Sequence, residues 1–226
     1  MAAAPLAFAG FPPETFAWFA GLEADNSRAY FSATRATYER DVRGALEAMF
    51  ETLADELGGR VRLFRQHRDL RFSADKSPYK TTTYGVITDR PAGPSPLYAQ
   101  LSARGLFAGS GFHVLGAEQL ARFRAAVADD AAGARLQDAV AAVHAAGVET
   151  FGEALKVAPR GYPRDHPRAA LLRHKSLFGG SRLAPGRAGI GAAAALAHAR
   201  DTWAACEPIT AWLEAHVGAS ERPARP

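Results

Sequence analysis

Little in this 226-residue chain is available for covalent cross-linking: Cys206 is its single cysteine, so no intramolecular disulfide framework holds it, and a lone thiol fits a reducing compartment. Nor is there any run of about 18 apolar residues, which excludes a spanning helix. The N-terminal stretch is apolar but has no basic leader and is interrupted by Pro5, Pro12 and Pro13, so it does not read as a signal peptide and a cytoplasmic location is expected, with no membrane partner. The seven histidines form no His-x-His, no His-Glu-x-x-His and no Cys/His ligand pair, so no metal site is expected. Also missing are the Gly-rich phosphate loop, the dinucleotide fingerprint and the Gly-x-Ser-x-Gly nucleophile elbow, and no motif specifies a cofactor. Cys206 lies among Trp203, Ile209 and Trp212 and reads as a buried apolar thiol rather than a nucleophile.

What the chain does have is unevenly placed positive charge. Residues 60–83 hold seven bases (Arg60, Arg62, Arg65, Arg68, Arg71, Lys76, Lys80) against Asp69 and Asp75, which is net +5, while the whole protein is only +4. Residues 156–175 are again net +5, with Lys156, Arg160, Arg164, Arg168, Arg173 and Lys175 against Asp165, so everything else carries net −6. Concentration of this kind suggests anion-binding surface in a way that the mild overall balance does not.

Apolar periodicity predicts a helix over residues 14–22, a stop and new cap at Asp25-Asn26-Ser27, and one long amphipathic helix over 28–57 ended by Gly58-Gly59. The aromatic residues of that helix keep helical spacing and read as core. Strands are expected over 61–64, 84–88, 97–102 and 106–115, joined by short turns as an antiparallel meander. Gly109-Ser110-Gly111 inside the fourth strand signals a bulge or a close approach by another backbone or a ligand. Helices follow over 116–129 and 133–146; residues 151–157 read as strand or helical turn; Asp165 is placed as an N-cap with Pro167 in the first turn of a short helix; 176–183 is extended; and a last helix over 192–216 is interrupted near Pro208. There is no internal repeat or sharp composition shift. The class expected is α+β, a mostly antiparallel sheet packed against several helices, with residues 1–217 as a single domain and 218–226 as a disordered tail.

Chemistry is expected first in residues 65–81. Arg65, Arg68, Arg71, Lys76 and Lys80 supply guanidinium forks and ammonium point charges, and Ser73, Ser77 and Tyr79 add hydroxyl donors, the groups that hold phosphate or carboxylate; Asp69 and Asp75 either orient the arginines or hold a metal. The competing reading of the same charges is a salt-bridge network that fastens the loop to the sheet. In the second basic segment His166, with Asp165, is the candidate for proton transfer, against the plainer reading that Asp165 caps a helix and His166 packs beside it; Arg173 and Lys175 add anion-binding cations. Neither Ser73 nor Ser77 has a partnered base in the sequence, so no nucleophile is named.

The run Phe64-Arg65, Arg68-Asp69, Arg71-Phe72-Ser73 and Asp75-Lys76-Ser77-Pro78-Tyr79-Lys80-Thr81 resembles the signature of the bacterial and fungal domain-of-unknown-function family 2461, written RFSxDKSPYKT with a downstream Asp-His-Pro. Other parts match in order: Phe19, Asn26, Arg28 and Phe31; Gly109-Ser110-Gly111; Leu155-Lys156, Pro159 and Gly161-Tyr162; Asp165-His166-Pro167; Leu171-Leu172; Lys175-Ser176; Pro208; and Trp212-Leu213. Asp25 departs from the pattern, which more often has a second Asn there. The resemblance implies that the two basic segments belong to one recurrent design, and it carries the expectation that Asp165-His166 and residues 65–80 converge across the sheet. The function expected is binding, with or without turnover, of a small phosphorylated or other anionic ligand in a pocket built from residues 65–81 and 165–175. The alternatives are a nucleic-acid-binding module on the same basic surface, with Tyr79 or Phe72 stacking a base, and a non-catalytic structural or interaction domain.

Overall fold

A computed structural model of the chain describes residues 7–69, 71 and 75–221. The fold is α+β: six strands lie in the order β2-β3-β4-β5-β7-β6, with antiparallel pairing at β2/β3, β3/β4 and β6/β7, and β1 and β8 form a separate two-stranded pair. The chain divides into two compact units, residues 1–108 with 182–201, and residues 109–181 with 202–226.

In the first unit, β1 (Gly10–Phe11) leads into α1 (Pro13–Ala24), which opens on a proline pair where the missing N–H costs nothing. Ser27 then caps α2 (Arg28–Ala33) by accepting from the Tyr30 amide at 3.1 Å, as its position after Asp25-Asn26 predicts. The long helix expected from residue 28 to residue 57 is instead interrupted. Following α3 (Arg35–Thr37), residues Tyr38–Gly44 form a π-helical stretch, and α helix resumes as α4 (Ala45–Leu57). Tertiary contact decides this: the Thr15 hydroxyl donates to the Asp41 carbonyl at 2.7 Å, and the absence of a side chain at Gly44 admits the Glu39 carbonyl, which a Cβ would meet at 2.7 Å. Gly58 and Gly59, both with positive φ, end α4 as expected.

The strands β2 (Arg60–Leu63), β3 (Thr83–Thr88) and β4 (Leu97–Ser102) follow, with the alternate residues Thr83, Gly85 and Ile87 of β3 and Leu97, Ala99 and Leu101 of β4 buried. Phe50 of α4 lies against Gly85, where a Cβ would meet its ring. The other face of these strands carries an aromatic row, Phe64, Tyr84, Tyr98 and Phe107, with centroids 4.8, 5.7 and 6.3 Å apart in succession. Phe107 belongs to β5 (Gly105–Phe112), which continues into the second unit.

The second unit is built around α5 (Ala117–Ala128) and α6 (Asp130–Ala145), separated by Asp129, which ends one and caps the other by accepting from the Ala132 amide at 2.8 Å. Next come β6 (Glu149–Phe151), α7 (Ala169–Leu172) and β7 (Leu177–Leu183), which returns to the first unit at residue 182 and leads to β8 (Ile190–Gly191). Helix α8 (Ala192–Ala205) runs on from there, and Cys206 separates it from α9 (Glu207–His216), with Pro208 in the first turn of α9. Phe123, Val127, Leu136, Val143, Leu172, Ile209, Trp212 and Leu213 form the core of this unit, and the Cys206 thiol is buried within it, which pushes its pKa up to about 11. Gly111 of β5 finds its reason in close backbone approach: it has φ +137° and faces the main chain of Phe178. Gly218 to Glu221 of the expected tail are held, Arg122 donating to the carbonyls of Val217 at 2.6 Å and Ala219 at 2.8 Å; residues 222–226 lie outside the described residues.

Candidate functional site

The first basic segment leaves β2 as an extended arm and comes back along itself. Arg68 N donates to Pro78 O and Lys80 N to Gln66 O, each at 2.9 Å, with His67 and Tyr79 bridged in antiparallel fashion. Two amide side chains lock this arm. Gln66, only 3% exposed, donates from Nε2 to the Lys80 carbonyl and accepts from the Thr83 hydroxyl at 2.7 Å. Asn26, in the turn between α1 and α2, acts as a substitute strand residue: its Nδ2 donates to Tyr79 O and its Oδ1 accepts from Tyr79 N, both at 3.1 Å. Tyr79 is 5% exposed, its ring stacked on Phe31 at 4.2 Å and 11°. The residue expected to present a hydroxyl donor therefore serves as the anchor of the loop. Asn26→Ala removes both partners of a buried backbone unit and is expected to lower stability by about 2 kcal/mol. Hydrogen exchange at the Tyr79 amide, accelerated in the variant while the β3 amides keep their protection, is the measurement that checks it.

Much of the positive charge is matched locally. Arg68 Nη1 pairs with Asp75, whose other oxygen accepts from Ser77 N at 2.9 Å and Ser77 Oγ at 2.7 Å; the Ser77 hydroxyl first, and then Arg68, hold the Asp75 carboxyl well below the usual carboxylate range. Arg71 grips Asp69 through Nε at 3.0 Å and Nη2 at 2.7 Å, which brings Asp69 down to about 2. Arg60 sits 4.0 Å from Asp89, and Arg62 lies over the Phe64 ring at 4.9 Å. At neutral pH both loop aspartates are thus charged, and the net +5 of the sequence is partly spent in ion pairs. Arg65 and Lys76 are exposed; Ser73 and Phe72 lie outside the described residues.

Lys80 stands apart. Its ammonium donates to Arg65 O at 2.8 Å and to the Tyr84 hydroxyl at 3.1 Å, and sits 4.6 Å from the Tyr84 ring centroid. All of these partners are neutral. Among the described residues no carboxylate pairs with this cation, and Lys80 is one of the residues that line a cleft of ≈ 360 Å³, with Glu23, Asn26, Arg68, Asp75, Ser77, Tyr79, Thr81 and Thr82. Gln66, Asn26 and Glu23 are the contributors that reasoning from charge missed. Gln66 stood out only as an uncharged polar residue inside a basic run, and Asn26 only through its place in the family pattern.

None of the residues lining this cleft comes from the 165–175 segment, which lies in the second unit. There Asp165 is exposed in a turn and caps no helix, because α7 begins only at Ala169. Helix α7 has no side-chain cap: its N-cap is Arg168, whose backbone N donates to His166 Nδ1 at 3.0 Å, so the ring proton of the neutral form sits on Nε2. Arg168 is 7% exposed and donates from Nε to Val127 O at 2.7 Å and from Nη2 to Ala128 O at 3.0 Å and Asp130 Oδ1 at 2.9 Å. Lys175 pairs with Glu153 through its side chain and through its backbone N at 2.6 Å to Glu153 O, and Arg173 O accepts from Leu155 N at 2.8 Å. Burial holds His174 below the usual imidazole range. Among the described residues no three His, Cys, Asp or Glu side chains come together to hold a metal ion, and no helix is long and apolar enough to cross a membrane.

Fold and cleft together define an α+β protein that presents a locked basic loop beside a polar cavity. A family model described as "Conserved hypothetical protein (DUF2461)" matches residues 14–212, and the chain belongs to that family. No curated protein and no solved structure matches the chain.

Proposed function

We propose that this protein binds a small phosphorylated or otherwise anionic ligand in the cleft of the first unit, with Lys80 as the principal anion-holding group and Arg68 beside it. The observation that carries the reading is that Lys80, a half-buried residue of the cleft lining, has its ammonium hydrogen-bonded to neutral acceptors only. A cation placed this way by Gln66, Arg65 O and Tyr84 is preorganised: its position is fixed before a ligand arrives, so less ordering cost falls on binding. Thr81 and Thr82 supply directional hydroxyl donors around it, while the Ser77 hydroxyl is already donated to Asp75.

Titration calorimetry with inorganic phosphate and phosphate esters at low salt tests the proposal. Lys80→Met is expected to weaken binding about 10- to 100-fold, the worth of one hydrogen bond to a charged group. Equal binding by the variant, or no binding of any anion at low salt, overturns it.

A further inference from the structure

We infer that the ligand of this cleft is a hydroxyl-bearing phosphomonoester, a sugar or polyol phosphate by class, and not a polyanion; this rests on the anion reading above. The lining is not uniformly basic. It sets Arg68 and Lys80 beside two carboxylates, Glu23 and Asp75, and three hydroxyl residues, Ser77, Thr81 and Thr82. Asp75 is committed to Arg68 and Ser77. Glu23 is exposed and lines the cleft, and its carboxylate has no hydrogen bond or ion pair among the described residues. A carboxylate only accepts, so it is matched by a ligand that donates, and hydroxyl groups do this without bringing further charge.

A chain of phosphates would bring negative charge against both carboxylates, which Coulomb repulsion disfavours. The lining also offers no open ring for a nucleobase, since the Tyr79 side chain is buried against Phe31. The volume of ≈ 360 Å³ is at the small end for ligand pockets and suits a single sugar ring with its phosphate. One cation without a counter-charge, a carboxylate without a donor and a cluster of hydroxyls therefore specify one anionic group and several neutral donors on the same small molecule.

The test uses the full chain at low salt with five probes: inorganic phosphate, glucose 6-phosphate, glucose, ATP and a single-stranded oligonucleotide. Glucose 6-phosphate is expected to bind about tenfold or more tightly than inorganic phosphate, the gain from hydroxyl-to-carboxylate bonds, and more tightly than ATP. Glu23→Gln, an exposed substitution expected to leave the melting temperature unchanged, brings glucose 6-phosphate down towards the affinity of inorganic phosphate and leaves inorganic phosphate bound as well as before or better. ATP or a single-stranded oligonucleotide binding more tightly than glucose 6-phosphate overturns the inference, as does a Glu23→Gln variant that retains the full preference. If inorganic phosphate binds through Lys80 but this discrimination is missing, the ligand class alone fails. If no anion binds, the site reading fails with it.

Discussion

Arg168→Leu is expected to cost about 3 kcal/mol of folding stability, read as a shift in urea midpoint at unchanged m-value. The last carbonyls of an α-helix have no partner within the helix. At the end of α5 two of them, Val127 O and Ala128 O, are closed by the single buried guanidinium, whose charge also opposes the negative pole of the helix. Leucine fills the space but leaves both acceptors dry. Gly133 on α6 is part of the same arrangement, because a Cβ there would run into Arg168 Nε and Cδ. The ion pair with Asp130 is not the source of the effect. That carboxylate is fully exposed, and Asp130→Asn is expected to change stability little. Equal costs for Arg168→Leu and Asp130→Asn would show that the pair, and not the carbonyls, matters.

Gly111→Ala is expected to be at least as damaging, about 3 kcal/mol or more, and to lower the melting temperature by roughly 6–12 °C for a chain of this size. Two costs combine. The backbone at φ +137° is one that side chains rarely adopt, and the new Cβ would lie 2.5 Å from Phe178 Cα and 2.7 Å from Leu177 O. Both obstacles are main chain of the neighbouring strand, so no rotamer change relieves them. Gly147→Ala provides the comparison: its φ is +76°, but a Cβ there meets nothing within 4 Å, and only conformational strain of about 1 kcal/mol is expected. Similar melting temperatures for the two variants would remove close packing as the reason for glycine in β5.

These two positions also mark what could be read from sequence and what could not. The glycines of residues 109–111 announced a close approach, but not that the approaching group is a strand of the protein itself. Local rules served well where the determinants are local: the Ser27 cap, the Gly58-Gly59 stop, the alternation in β3 and β4 and the break at Pro208 all fall where side-chain chemistry and periodicity place them. They failed at Asp165, which has a capping side chain at a plausible distance before a helix: α7 begins only at Ala169, its N-cap is Arg168, and no side chain caps it. In the basic segment, charge density was legible and its neutralisation was not. Asp89 lies outside the run that it helps to balance, and Asn26 reaches Tyr79 across 53 positions. The feature that singles out Lys80 is the identity of its neighbours, which only the folded chain brings together.

The π-helical stretch Tyr38–Gly44 has a bearing on the cleft although it lines none of it. A π turn is an α-helix with one residue added, and one residue corresponds to about 100° of rotation about the helix axis. Everything before it, including Phe31 beneath the Tyr79 ring, is thus set in azimuth against α4 by a single inserted residue. Chain length within those seven residues is therefore as constrained as side-chain identity is in the loop: a homologue one residue shorter there would turn Phe31 away from the Tyr79 ring.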